Sequence, residues 1–202
     1  VQDYQAFVTA TGRNWEKPSF DQGPTHPAVN VSWEDAKAFC AWLTKKEQEA
    51  GKIGANQKYR LPTDAEWSVA VGLGAEPGNT PEERHGKIKD VYPWGNQWPP
   101  LQGAGNYDGS LKVDKFKYTS PVGSFTANPV GLFDMGGNVW EWCEDSYRLG
   151  DDWRLLRGAS WLDDYPFYLL SSYRSHFDPG NPSVIIGFRC VLVVGGASSS
   201  SR

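Results

Sequence analysis

Methionine occurs once in this chain of 202 residues, and cysteine and histidine three times each. Cys40, Cys143 and Cys190 are too few and too scattered for a disulfide framework, and they lack the Cys-x-x-Cys spacing of zinc and redox sites. Buried thiols fit them better than a single disulfide, though one remains open. No H-E-x-x-H pattern links His26, His85 and His176, which stand far apart. Positive charge is not in excess: the formal net charge is −4 and the pI about 5.4, leaving no electrostatic footprint for nucleic acid or an anionic membrane. No apolar run approaches the roughly 20 residues that span a bilayer, which argues against direct membrane insertion by this segment. No signal-peptide pattern opens the chain at "VQDYQAFV", so a leader or anchor would have to lie upstream. One further absence is local. Residues 162–186, "LDDYPFYLLSSYRSHFDPGNPSVII", contain no Lys, Glu, Gln, Met or Trp, although these types supply 39 of the 202 residues.

What is present points to one loop-rich domain over residues 1–194, followed by a flexible Gly/Ser tail at 195–202. Ten Trp, nine Tyr and nine Phe imply an aromatic core, and 22 Gly with 14 Pro imply long irregular connections. Ser32 is placed to cap a helix in which Trp33, Ala36, Phe39, Cys40 and Leu43 recur at spacings of three and four, with Gly51 as the stop. Thr63 and Glu66 have capping-box spacing and open a shorter helix. Beyond residue 75 turn chemistry dominates, and "RLLRGAS" and "GFRCVLVV" are the clearest strands.

Two loops carry oxygen ligands suited to a hard cation such as calcium. In "DMGGNVWE", Asp134 and Glu141 flank Gly137 and Val139, whose carbonyls could converge with them; "NYDGSLKVDKF" offers Asn106, Asp108 and Asp114. From spacing alone, turn-capping carboxylates are the competing explanation.

Read in order, "HPAVNVSWEDAKAFCAWL", "RLPTDAEW", "YPWGN", "PVGSFTANPVGLFDMGGNVWEWCEDSY", "RLLRGASW" and "GFRCVLV" resemble the formylglycine-generating enzyme, or sulfatase-modifying factor, family. The resemblance implies an α+β C-type-lectin-type fold, with two helices around a small twisted antiparallel sheet and long irregular loops. It also implies two structural Ca2+ sites, one at Asp134, Glu141 and the carbonyls of Gly137 and Val139, the other at Asn106, Asp114 and the carbonyls of Tyr107 and Phe116. Enzymes of the family hold copper with two cysteines five residues apart. The corresponding positions here are Asp163 and Tyr168, so no copper is expected and the chain reads as a non-enzyme.

The five types missing from 162–186 are those whose codons all end in a purine, and chance absence from 25 positions would arise about 0.5% of the time at uniform composition. Mutation at the adenines of AAC or AAT codons gives fifteen amino acids and never these five. The stretch therefore resembles the variable cassette of diversity-generating retroelement proteins, with a variable region at about 157–190 and with Arg174, Pro179 and "IGFR" as fixed frame. The resemblance makes Leu162, Asp163, Asp164, Phe167, Tyr168, Tyr173, Ser175, His176, Phe177, Asp178, Gly180, Asn181, Ser183, Val184 and Ile185 the diversified, ligand-binding positions. Tyr, Phe, Ser, Gly, Asn and Asp are also the residues of antibody-like loops. Leu162, Phe167, Tyr168, Tyr173 and Phe177 are the candidate hot spots, whereas Leu169, Leu170 and Ile186 read as core. The expectation is a receptor-type protein on a calcium-supported scaffold, binding a protein or cell-surface ligand. It would sit at the cell surface or in the secreted fraction, with a lipid anchor through an upstream leader as one route. An altered oxidase of the same family and a non-diversified interaction domain are the alternatives.

Overall fold

A computed structural model describes residues 1–195, so the expected Gly/Ser tail lies outside the described residues apart from Gly195. Four helices, α1 (Gln2–Thr11), α2 (Trp33–Glu49), α3 (Asp64–Val71) and α4 (Pro81–Arg84), accompany six strands: β1 (Gln57–Arg60), β2 (Trp140–Ser146), β3 (Arg154–Arg157), β4 (Ser175–Phe177), β5 (Ile186–Phe188) and β6 (Val191–Val194).

The two predicted helices start where their caps place them. Ser32 is extended and its side chain accepts from the Asp35 N–H. Thr63 accepts from the Glu66 N–H while the Glu66 carboxylate accepts from the Thr63 N–H, a reciprocal capping box. The pair α1 and α4 was not predicted. No side chain caps α1 at Val1, and it buries only Tyr4 and Phe7; α4 is a single turn.

Strand order in the main sheet is β4-β3-β2-β5. The β2–β3 and β3–β4 pairs are antiparallel and β2–β5 is parallel, so the sheet is mixed rather than wholly antiparallel. "GFRCVLVV" divides between two sheets, because β6 pairs instead with β1. The "FYLL" run at 167–170 forms turns, not a strand.

Trp140, Glu141, Trp142 and Cys143 of β2 are all buried. Around them pack Tyr4, Phe7, Trp33, Phe39, Leu156, Leu169, Leu170 and Ile186. Three of the four buried indoles donate their N–H across the core: Trp33 to the Cys143 carbonyl at 2.8 Å, Trp142 to the Val31 carbonyl at 2.9 Å and Trp67 to Glu141 Oε2 at 2.8 Å. Cys40 and Cys143 are buried and Cys190 half-buried; the Cys40 and Cys190 Sγ atoms stand 3.4 Å apart.

Candidate binding surface and metal-capable loops

The segment after β3 runs through turns, forms edge strand β4 beside β3 and ends in β5 at the opposite edge of the sheet, with buried and solvent-accessible positions interleaved along it. None of the fifteen positions assigned to the variable set is buried. Leu162, Asp164, Tyr168, Asp178, Gly180 and Asn181 are exposed, and the other nine are half-buried. Interleaved with them, Leu169, Leu170, Ser171, Ser172, Arg174, Ile186 and Gly187 are buried. Arg157, at the start of the expected variable region, is buried as well.

A network of buried charge ties this segment down. Asp64, at the first turn of α3, pairs with Arg157 and, at 3.0 Å, with Arg174; Arg174 also reaches Glu76 at 2.5 and 2.8 Å. Both guanidiniums bond to Ser68 Oγ at 3.1 Å. Burial by itself would raise the Asp64 carboxyl, but Arg157 and Arg174 outweigh it and hold it below its ordinary value. Every carboxylate in this site is therefore matched by a cation, which is the condition for burying charge at tolerable cost.

Of the five candidate hot spots, only Leu162 and Tyr168 are exposed, at 53% and 43%. Phe167, Tyr173 and Phe177 correct the expectation of a free surface: they are half-buried and pack on the core. Tyr173 lies 5.9 Å from Trp140 and Phe177 6.4 Å from Trp142, ring centre to ring centre. A short segment lying flat on a core cannot turn every ring outward. Asp163 accepts from the Ser160 N–H at 2.8 Å and hydroxyl at 2.6 Å, and burial pushes its carboxyl up.

Several aromatic side chains outside the fifteen positions join the surface. Tyr165 is 59% exposed, and Trp153, in the β2–β3 turn, is 45% exposed with its ring 5.1 Å from His176. Beneath them Tyr147, itself buried, stacks on His176 at 4.3 Å, and half-buried His85 lies 4.6 Å from Tyr173. Trp153 had no sequence signal, since only folding brings the β2–β3 turn beside β4.

The two oxygen-rich loops meet. Asn138 donates its N–H to the Asn106 carbonyl at 2.7 Å, and Gly137 takes φ 75° where a Cβ would collide with that same carbonyl. Asp134, Gly137, Val139 and Glu141 line one cleft of about 520 Å³. Within it both Glu141 oxygens accept from Arg189 at 2.6 Å, while Asp134 Oδ2 accepts from the Gly123 N–H at 2.7 Å. Burial, with Glu141 adding to it, raises the Asp134 carboxyl. In the other loop Asn106 is fully buried: its Nδ2 donates to the Tyr118 carbonyl at 2.8 Å and its Oδ1 has no partner. Asp114 accepts from the Tyr107 N–H at 3.1 Å and the Phe116 N–H at 2.7 Å, gathering those residues around it. Asp108 caps the short 109–111 turn. Among the described residues no three His, Cys, Asp or Glu side chains cluster as a metal site, so cation binding here would depend on amide and carbonyl oxygens.

Fold and loops together define an α+β C-type-lectin-type domain of the formylglycine-generating-enzyme kind. The chain belongs to that family: residues 1–194 match the sulfatase-modifying factor enzyme 1-like domain. It is 36% identical over 179 residues to the inactive C-alpha-formylglycine-generating enzyme 2 of Bos taurus, covering 84% of this chain and 51% of the relative. It is 30% identical over 218 residues to the formylglycine-generating enzyme of Thermomonospora curvata, covering 91% and 63%. The chain thus spans about half to two thirds of these relatives' length. Among solved structures it is similar to PvdO from Pseudomonas aeruginosa, with TM-score 0.70, 27% identity and coverage of 92% of this chain and 74% of that one. Treponema denticola variable protein 1 shares the fold at TM-score 0.65 and 23% identity, over 94% of this chain and 80% of that one.

Proposed function

We propose that this chain is a non-enzymatic, receptor-type binding domain that displays a diversified surface from residues 162–185 on a rigid scaffold. One observation carries the reading. The fifteen positions that the cassette resemblance marks as variable include none that is buried, while Leu169, Leu170, Arg174 and Ile186 between them are all inside; Tyr165 and Pro182, outside the fifteen, are exposed as well. The relative named inactive fits a scaffold of this family used without its chemistry. Asp163 and Tyr168, at the positions the resemblance gives to the copper-binding cysteines, offer hard oxygen donors where Cu(I) needs thiolates. The ligand is a protein or cell-surface group, met at the cell surface or in the secreted fraction.

Structural calcium belongs to the same proposal. At the first loop the residues fit: Asn106 Oδ1 is a fully buried acceptor with no partner, beside Asp114 and the backbone of Tyr107 and Phe116. At the second loop Asp134 and the carbonyls of Gly137 and Val139 would hold the ion and share Glu141 with Arg189. Calcium at either place would order polar loops and add folding energy.

Sequencing this locus from several isolates tests the display reading. Substitutions confined to the fifteen positions, with purine-ending-codon residues absent from them, are expected. Changes spread evenly over the chain would overturn it.

A further inference from the structure

Between residues 151 and 186, charge is sorted by depth. The three arginines turn inward: Arg157 and Arg174 are buried in the Asp64 network, and Arg154 lies over the Trp33 ring at 4.1 Å. Of the five aspartates, Asp152, Asp164 and Asp178 are exposed and Asp151 and Asp163 half-buried, the Asp163 carboxylate being bonded to Ser160, and the span contains no Lys or Glu.

A series of ring contacts connects this face, with Trp153, Tyr165 and Tyr168 exposed, His85, Tyr173 and His176 half-buried, and Tyr147 buried beneath them. Trp153 lies 5.1 Å from His176, His176 4.3 Å from Tyr147, Tyr147 6.1 Å from His85 and His85 4.6 Å from Tyr173. Tyr173 continues to Tyr168 at 5.2 Å and Tyr168 to Tyr165 at 5.5 Å. An acidic pair adjoins each end in sequence, Asp151–Asp152 before Trp153 and Asp163–Asp164 before Tyr165. A cation already rests on this face from within the chain, since Lys89 Nζ stands 4.8 Å over the Phe167 ring. Clefts of about 420 to 670 Å³ elsewhere on the molecule have no lining residue between 162 and 185.

We propose that this ring chain and its flanking aspartates form a docking face for a cationic protein surface, with Trp153 as its fixed anchor. The proposal rests on the display reading and names the partner class for it. A partner Arg or Lys over a Tyr or Trp face gains about 0.5–2 kcal/mol. Exposed aspartates add long-range attraction and repel an acidic partner. With those clefts lying elsewhere, this face suits an opposing protein rather than a small molecule. Trp is the best cation–π acceptor, and the AAC/AAT scheme can never produce it at a variable position. The scaffold supplies it instead, 45% exposed and against variable His176, with Leu149 95% exposed in the same turn.

The experiment pans a displayed library of random dodecapeptides on the immobilised full chain, alongside Trp153→Ala, Asp151→Asn/Asp152→Asn/Asp164→Asn and Tyr165→Ala/Tyr168→Ala variants shown by circular dichroism to be folded. Captured peptides are expected to be enriched in Arg and Lys and to be released by about 1 M NaCl, where the Debye length falls to about 3 Å. Trp153→Ala and the aspartate variant should each cut capture about tenfold or more. Capture of neutral or acidic peptides, or of basic ones indifferent to Trp153 and the aspartates, overturns the cationic-partner proposal and leaves the display reading intact. No capture above background, or capture unchanged by Tyr165→Ala/Tyr168→Ala, overturns both.

Discussion

At the scale of single residues, Asp64 does most to join the scaffold to the displayed segment. One carboxylate answers Arg157 from β3, Arg174 ahead of β4 and Arg84 from α4, at 1% side-chain exposure. Removing the charge leaves two guanidiniums buried against too little negative charge, so Asp64→Asn is expected to cost about 3–5 kcal/mol in urea unfolding. A cost under about 1 kcal/mol would show that the network is not what pins the segment. Because its folded-state pKa lies below the unfolded value, Asp64 contributes stability that is present above the unfolded pKa. That stability is lost as pH falls through the folded pKa, so the wild type should lose more than the variant on acidification. Arg174 was readable in the sequence as fixed frame, but its partners were not. Asp64, Ser68 and Glu76 lie 98 to 110 residues away, a separation no local pattern encodes.

At the scale of elements, caps and periodicity located α2 and α3, whose signals are local side-chain to backbone bonds. Without a capping side chain at Val1, α1 gave no such signal and is held by packing of Tyr4 and Phe7. The display segment behaves as two layers, which makes its substitutions unequal. Leu162→Ala and Tyr168→Ala should change stability by no more than about 0.5 kcal/mol, as exposed positions do. Phe177→Ala should cost about 1–2 kcal/mol, part of the full-burial penalty, because the ring rests on the core beside Trp142. Equal, negligible losses at all three positions by thermal or urea unfolding would show that Phe177 is as free as Leu162.

At the scale of the whole molecule, a domain with long polar loops and short strands needs something to order those loops, and calcium is the proposed means. With calcium at about a hundred times its Kd, the ion adds about 2.7 kcal/mol, or about 5–10 °C of Tm at this size. Chelation by EDTA should remove that increment, and Asn106→Ala should remove the share that belongs to its own loop; an unchanged Tm on chelation would sink the calcium proposal. The sequence by itself determined the family, the two capped helices, the oxygen-rich loops and the composition bias of 162–186, because motifs, caps and codon usage are written in neighbouring residues. Only the tertiary structure decided which rings of that segment face water, that β5 lies parallel to β2, that Arg189 pairs with Glu141, and that Trp153 stands beside His176. The physical reason is that burial and charge pairing depend on which distant segments pack together, and those contacts exist only once the chain has closed on its core.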